Sequence, residues 1–572
     1  SVASRIGAHR PSVTSFARWS AAFQYFSAHS VFPTMRSEAV RAASDSARQA
    51  PGHSIPAASR PQPKTYTLET LPFDNLALRS LPLDPQPENF IRPVPNSVYS
   101  RVEPEPLKNP VLVALSPDAL TDLLSLDPSE LKREEDLAAY LGGNKRLPGS
   151  ETYAHCYAGH QFGAFSGQLG DGAAISLGEV VGERGERCEI QLKGAGPTPY
   201  SRRADGRKVL RSSIREFLCS EAMSFLGVPT TRAGALITSD TLTQRDIFYN
   251  GNVINERCSV VTRLAPSFLR FGSFEVVKTQ DAYTGRAGPS PGNTELLREL
   301  LDFTIQTYFP HLGHLEDNKP DQYLAFYREV VAKTAGLVAA WQAVGFTHGV
   351  LNTDNMSVLG LTIDYGPYGF MDFFDPDFIP NGSDNGGRYT YVKQPEICKW
   401  NLEKFAEALS LLLPLDRSLP LLSSLYDDEY SRAYFFLMRK KLGLREGGAE
   451  GGKEEEELVE KLFKTMEETA ADFTMTFVEL SRLERDGRNK EEVIKALASH
   501  CAPPSVLAAS LTKKLRISRP TMPSGQTQQL WALAQQDRGK IAEIFGAENV
   551  EAVLRELEGE MAKMRALEKT AG

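Results

Sequence analysis

A chain of 572 residues, 41% hydrophobic and 24% charged, is long enough for one bilobal body or two to four domains with an ample core. Its net charge of −8 argues against a general nucleic-acid or anionic-membrane binder, and no apolar run approaches the ~18 residues of a membrane span. The six cysteines (Cys156, Cys188, Cys219, Cys258, Cys398, Cys501) form no CxxC and no metal-ligand spacing, which excludes a zinc ribbon or disulfide framework as the organising feature.

Residues 1–63 are rich in Ser and Ala, with seven Arg and only two acids, Glu38 and Asp45. Phe16, Trp19, Phe23 and Phe26 fall at helical spacing, so the stretch reads as a mitochondrial transit peptide or disordered leader. Folding is expected to begin near Leu68. The runs NSVYSRVEP and NPVLVALS read as strands, PDALTDLLSL and SELKREEDLAAYLGG as helices.

Next, AAISLGEVV and CEIQLKG read as two strands joined by the Gly-rich turn GERGER. Gly167, Gly170 and Gly172 precede the first, and glycine lets a backbone approach a phosphate closely. Lys193 ends the second, a point charge suited to phosphate. From Arg207 to Leu226 the apolar positions Val209, Leu210, Ile214, Phe217, Leu218 and Phe225 predict an amphipathic helix with Glu216 in its middle, 23 residues after Lys193. A buried lysine needs a carboxylate to stay charged, and Glu216 can supply it. The intervening loop and helix start hold Arg202, Arg203, Arg207, Lys208, Arg211 and Arg215, either an ion-paired solvated face or a surface for phosphate. Arg263 and Arg270 flank a short apolar segment, and their planar forks suit phosphate oxygens.

Long helical patterns follow, ELLRELLDFTIQTYF and DQYLAFYREVVAKTAGLVAAWQAVGF, leading into THGVLNTDNMSVLGLTIDYGPYGFMDFFD. This stretch orders His348, Asp354-Asn355 and Asp364-Tyr365-Gly366 as protein kinases order their metal site, with Asn355 and Asp364 on the metal positions. Val350 stands where the kinase base should be. Read alone, these are equally turn residues around a hairpin. Five elements in kinase order, from Gly-rich turn through strand Lys and helix Glu to Asp-Asn and Asp-Tyr-Gly, favour the metal-nucleotide reading. Farther on, CKWNLEKFAEALSLLL, DDEYSRAYFFLMRKKL, LVEKLFKTMEETAADFTMTFVELSRL and NVEAVLRELEGEMAKMRALEK read as helices, and GGAEGGKEEEE as a solvated linker or helix start. His160 has no Cys or His at metal spacing and is expected to be a hydrogen-bonded structural residue.

The stretches YAGHQFGAFSGQLGDG, LKGAGPTPYSRRADGRKVLRSSIREFLCSEA, TRLAPSFLRFGSFE, HGVLNTDNMSVLGLTIDYGPYGFMDFFDP and GRYTYVKQPEICKWNL strongly resemble the selenoprotein O family, densely over residues 68–420. The resemblance implies a kinase-fold protein that moves AMP, rather than phosphate, from a flipped ATP to protein hydroxyls. Carried over by motif, Gly170, Gly172, Asp205 and Gly206 would line the nucleotide site. Lys193 would hold phosphate while paired with Glu216, and Arg263 and Arg270 would grip the inward phosphates. Asn355 and Asp364 would bind Mg²⁺ or Mn²⁺, and Asp354 would accept the proton. Two departures stand out: Ala173 follows the GDG where many relatives have Arg, and the last cysteine is Cys501, so no C-terminal selenium or redox role is carried over.

The expectation is therefore a bilobal α+β kinase-like fold, with a leader over 1–63, a mixed strand-helix lobe over 64–285 and a mainly helical lobe over 286–572. The expected partners are ATP and proteins presenting Ser, Thr or Tyr, with no nucleic acid and no membrane insertion. An ordinary protein kinase and a nucleotide-binding pseudokinase scaffold are the alternatives.

Overall fold

Alternating apolar residues from distant parts of the chain meet in one antiparallel sheet, which sets the frame of the computed structural model. The structure describes residues 64–247, 251–444, 452–484, 486–503 and isolated positions beyond; the leader and the segment NVEAVLRELEGEMAKMRALEK lie outside these, apart from Leu554 and Glu558. The sheet comprises β1 (Tyr99–Arg101), β2 (Val111–Leu115), β3 (Tyr153–His155), β6 (Ala174–Val181), β7 (Arg187–Lys193), β8 (Lys208–Val209), β9 (Arg232–Asp246) and β10 (Val253–Ala265). Their order is β1-β3-β6-β7-β10-β9-β2, with β8 added along β10. A separate hairpin joins β4 (Ala158–Gln161) to β5 (Ala164–Gln168). β6 and β7 form the expected hairpin, with Ala174 opposite Lys193.

The strands β9 and β10 are the longest in the sheet and have no counterpart in the sequence reading. Their inner halves are buried on both faces, so they show no alternation, and their outer halves carry the polar residues of an exposed ribbon. The helix Leu210–Phe225 forms as expected, but Ile214, Leu218 and Phe225 are 38%, 52% and 62% exposed while Glu216 and Phe217 are buried. The face turned to the sheet is the one carrying the carboxylate. Phe217 packs there with Ala233, Leu236 and Val261.

Beyond the sheet the chain is mainly helical: Thr294–Tyr308, Lys319–Ala343, Gln394–Leu409 and Leu415–Leu442 pack into the main core, with Trp341, Phe326, Tyr327 and Phe405 fully buried. The apolar pattern from Leu458 to Leu483 is two helices, Gly452–Thr469 and Phe473–Leu480, since Ala470 takes a left-handed φ of 48° and Asp472 caps the second through Met475 N–H. The protein is thus α+β, a sheet-rich part followed by a helical part, as expected of a kinase-like fold. The described residues up to 381 and those from 388 to 502 form one compact unit, and 382–387 belong to a second. Among the described residues no helix is long and apolar enough to cross a membrane.

Candidate active site

Lys193 stands at the end of β7 opposite Val261, with its ammonium 3.0 Å from Glu216 Oε1 and 2.7 Å from Asp364 Oδ1. The helix Leu210–Phe225 is locked to the Asp-Tyr-Gly segment, as Arg215 donates to the Tyr368 carbonyl at 2.7 Å and Tyr368 Oη donates to the Arg215 carbonyl at 2.8 Å. That clasp holds Glu216 in place for the lysine. Arg263, 3% exposed, reaches Asp364 Oδ1 at 2.6 Å and is held from behind by Gln191, two residues before Lys193 and therefore on the same face of β7. Arg270, wholly buried, donates to Asp364 Oδ2 at 3.0 Å and to the Asp354 carbonyl at 2.8 Å. Three cations, one from β7 and two from the end of β10 and the turn after it, converge on one carboxylate.

Asp364 has a left-handed φ of 61°, a conformation Asp tolerates better than most residues and one that concentrates at functional sites. Burial would raise its pKa, but the Lys193, Arg263 and Arg270 cations outweigh this and hold it well below the usual carboxylate range. Asp354 is the opposite case. Burial pushes its pKa up to about 7, against the pull of Arg270, with the Asp364 charge adding to the rise. Its Oδ1 has no hydrogen-bond partner among the described residues, and its Oδ2 meets only Gln161 Nε2, at 3.4 Å. A carboxylate with a spare oxygen and a pKa near neutrality is suited to accept a proton. Arg263 Nε and Arg270 Nη2 likewise lack hydrogen-bond partners, so the site presents unspent donors as well as an unspent acceptor.

The 353–355 turn is fixed from below. Glu275, fully buried, accepts from Thr353 Oγ1 and pairs with His160 Nδ1, while the His160 N–H donates to Thr353 Oγ1 at 2.7 Å. His160 is thus the structural histidine its isolation suggested. His348 donates from Nε2 to the Ile363 carbonyl at 2.9 Å, and burial lowers its pKa, so it stays neutral and ties the two loops together. Val350 offers no acid, and its carbonyl accepts from Asn355 Nδ2 at 2.9 Å. This contact leaves the Asn355 amide oxygen as the group's free acceptor. Asn355 and Asp364 would hold a divalent cation through hard oxygen ligands of the kind Mg²⁺ prefers, with phosphates and water completing the shell. Among the described residues no cluster of three or more His, Cys, Asp or Glu could hold a metal without such help.

Of the remaining expected residues, Asp205 and Gly206 lie beside the site, in a cleft of about 490 Å³ lined also by Ala173, Arg203, Arg207, Lys208, Arg211 and Arg245. Asp205 pairs with Arg245 at 2.8 Å, which holds its carboxyl below its usual range against the opposing effect of burial. Gly206 has φ 67°, and a Cβ there would lie 2.0 Å from the Gly196 carbonyl oxygen. Gly170 and Gly172 have a packing reason of their own: a Cβ would meet the Tyr200 ring at 2.3 Å and the Tyr200 carbonyl oxygen at 2.9 Å. Sequence reasoning missed Gln191, Glu275 and Asp171, a buried acid 3.7 Å from Arg270. Gln191 alone carried a signal, its two-residue spacing from Lys193.

The family described as "Protein adenylyltransferase SelO" matches residues 84–562. The mouse protein named "Protein adenylyltransferase SelO, mitochondrial" is 52% identical over 519 residues, 89% of this chain and 76% of its own. "Protein nucleotidyltransferase YdiU" of Aromatoleum aromaticum is 47% identical over 426 residues, 73% of this chain and 77% of its own. A solved chain of ROP2 from Toxoplasma gondii, described as having a protein-kinase fold and no enzymatic activity, aligns over 55% of this chain and 87% of its own at 11% identity, with a TM-score of 0.21. That last overlap is too slight to weigh on fold or activity. The match over 84–562 and the identity to the mouse protein place this chain in the protein adenylyltransferase SelO family, a family of nucleotidyltransferases.

Proposed function

We propose that this protein transfers AMP from ATP to Ser, Thr or Tyr hydroxyls of other proteins, with ATP bound in the flipped orientation. The observation that carries the reading is the meeting of Lys193, Arg263 and Arg270 on Asp364, with Asp354 joined to the same knot through Arg270. In the reaction a substrate oxygen bonds to the α-phosphorus, the bond from that phosphorus to the β-phosphate's bridging oxygen breaks, pyrophosphate leaves, and Asp354 takes the hydroxyl proton. Lys193, Arg263 and Arg270 orient the triphosphate and neutralise its charge, the source of most of the rate in transfers of this type. Glu216 keeps Lys193 in position. Asn355 and Asp364 would hold Mg²⁺, or Mn²⁺ in its place, and the cation when bound would offset charge on the phosphate oxygens. Asp354 replaces the kinase base because the phosphorus under attack is not the terminal one, which leaves nothing for an acid at Val350 to do.

The lobes are assigned to residues 64–285 and 286–572, and residues 1–63 to a mitochondrial leader, in keeping with the location in the mouse relative's name. ATP labelled at the α- or the γ-phosphate, incubated with the full chain and a mitochondrial protein extract, tests the function. Label reaching protein from the α-position alone is the expected result. Label reaching it only from the γ-position would reject AMP transfer in favour of a kinase, and no turnover beside intact ATP binding would favour a scaffold.

A further inference from the structure

The tip of the β4–β5 hairpin is a two-residue turn, Phe162-Gly163, between the paired residues Gln161 and Ala164, and both turn residues have a positive φ, 50° and 85°. Turns of this kind favour Asn-Gly or Gly-Gly, because a bulky side chain strains a left-handed backbone. Here the strained position carries a phenylalanine that is 47% exposed. Three successive residues of the hairpin are bonded to the chain around Asp354. The His160 N–H donates to Thr353 Oγ1 at 2.7 Å, the Gln161 amide to Asp354 Oδ2 at 3.4 Å, and the Phe162 N–H to Asn352 Oδ1 at 3.3 Å and Tyr389 Oη at 2.9 Å. Gly159 permits the approach, since a Cβ there would lie 3.1 Å from the Asp354 Cβ. Tyr389 donates in turn to Asn352 Oδ1 at 2.6 Å and supports the Phe162 ring, with centroids 5.2 Å apart. Stability gives no reason for this arrangement, as Asn or Gly would fill the turn with less strain and no exposed ring; strained residues of this kind concentrate at active sites and ligand clamps.

We propose that Phe162 determines specificity for the protein substrate, packing on an apolar residue next to the hydroxyl that receives AMP. This rests on the AMP-transfer reading. A hydroxyl that yields its proton to Asp354 must come within about 3 Å of that carboxylate, and successive residues of an acceptor chain lie about 3.8 Å apart. The Gln161 contact fixes the hairpin tip beside the same carboxylate, so a residue flanking the hydroxyl falls within a side chain's reach of the Phe162 ring. The open part of that ring offers no charge and no hydrogen-bonding atom, and burying it favours an apolar neighbour over a polar one.

Transfer of α-label to a peptide library, each member carrying one Ser, Thr or Tyr between randomised neighbours, tests the assignment in the full chain and its Phe162→Asn, Phe162→Gly and Phe162→Leu variants. The wild type should prefer Leu, Ile, Val, Met or Phe beside the hydroxyl over Asp, Lys or Ser. Phe162→Asn and Phe162→Gly should lose that preference and fall about tenfold in kcat/KM for the preferred peptides, the usual worth of one apolar contact. Phe162→Leu should keep most of both. Calorimetric affinity for Mg-ATP should be unchanged throughout, and the Tm of Phe162→Asn should equal or exceed the wild-type value. A wild type indifferent to the flanking residue, a preference that survives in Phe162→Asn, or a fall in ATP affinity equal to the fall in peptide turnover would each overturn it. Failure of the AMP-transfer reading is separate and visible as peptides labelled only from the γ-phosphate, with a flanking preference that still depends on Phe162.

Discussion

Arg270 donates through one nitrogen, Nη1, to both the main-chain carbonyl of Asp354 at 2.8 Å and the Asp364 carboxylate at 3.0 Å, so a single buried guanidinium sets the 353–355 turn against the Asp364 carboxylate. Its second terminal nitrogen lies 3.7 Å from Asp171, and its plane covers the Tyr157 ring at 4.4 Å.

A lysine cannot reproduce that fork. Arg270→Lys should therefore fall close to Arg270→Met in activity, with both losing at least about 100-fold in the rate of AMP transfer, on the scale of removing one preorganised donor. Both should also melt earlier: Arg270→Met takes a buried counter-charge from Asp364 and Asp171, and the single ammonium of Arg270→Lys cannot reach both acids and the Asp354 carbonyl. Thermal melts and transfer of α-label together check this; activity retained in Arg270→Lys would mean that charge alone suffices.

The two acids of the site should fail differently. Asp354→Asn should lower kcat by about 10²–10⁴-fold, the usual worth of a general base, while ATP binding stays near the wild-type value. Asp364→Asn should nearly abolish turnover and also disturb ATP binding, since Lys193, Arg263 and Arg270 all lean on that carboxylate. Calorimetry with Mg-ATP beside single-turnover kinetics separates the two patterns.

Glu275 touches neither proposed substrate, yet it holds Thr353 and His160 beneath the base loop. Glu275→Ala should lower kcat with little change in KM for ATP, because the proposed nucleotide contacts lie on Lys193 and the arginines. Leaving the buried Thr353 hydroxyl and His160 ring without their acceptor should cost about 1–3 kcal/mol of stability each. A lowered Tm with unaltered kcat would show Glu275 to be structural only.

Acid stability should report a second buried pair, in the sheet. His155 Nε2 and Glu189 Oε1 are 2.7 Å apart, and Glu189 also accepts from Tyr153 and Ser176. Burial opposes the Glu189 charge, but His155 outweighs it and brings the carboxyl down to about 2; His155 rises from 6.5 because Glu189 outweighs the effect of its burial. The glutamate contributes stability above its ordinary 4.5 that is lost as pH falls through about 2. The histidine contributes stability present in full below 6.5 that is lost as pH rises through its raised value. Their joint contribution should peak between 4.5 and 6.5, and a Tm-against-pH curve should flatten there in Glu189→Gln.

Much of this protein was legible along the chain because its chemistry is carried by spaced words. Lys193, the helical Glu216, Asp354-Asn355 and Asp364-Tyr365-Gly366 stand in an order that short-range pattern reports directly, and the β6–β7 hairpin declared itself by its Gly-rich turn. The helix Leu210–Phe225 was legible as a helix, but which of its faces is buried was not. Phe225 and Leu218 look like core and lie outside, since the sheet surface they would pack on is taken up by Glu216 and Phe217. Strands buried on both sides, as the inner halves of β9 and β10 are, have no alternation to read. What only the tertiary structure decided is which charges share a field. Asp354 and Asp364 are ten residues apart and chemically identical, yet three cations hold one ionised while a dry wall raises the other to about 7. That difference comes from long-range contacts between the sheet and the helical part, and local sequence does not encode such distances.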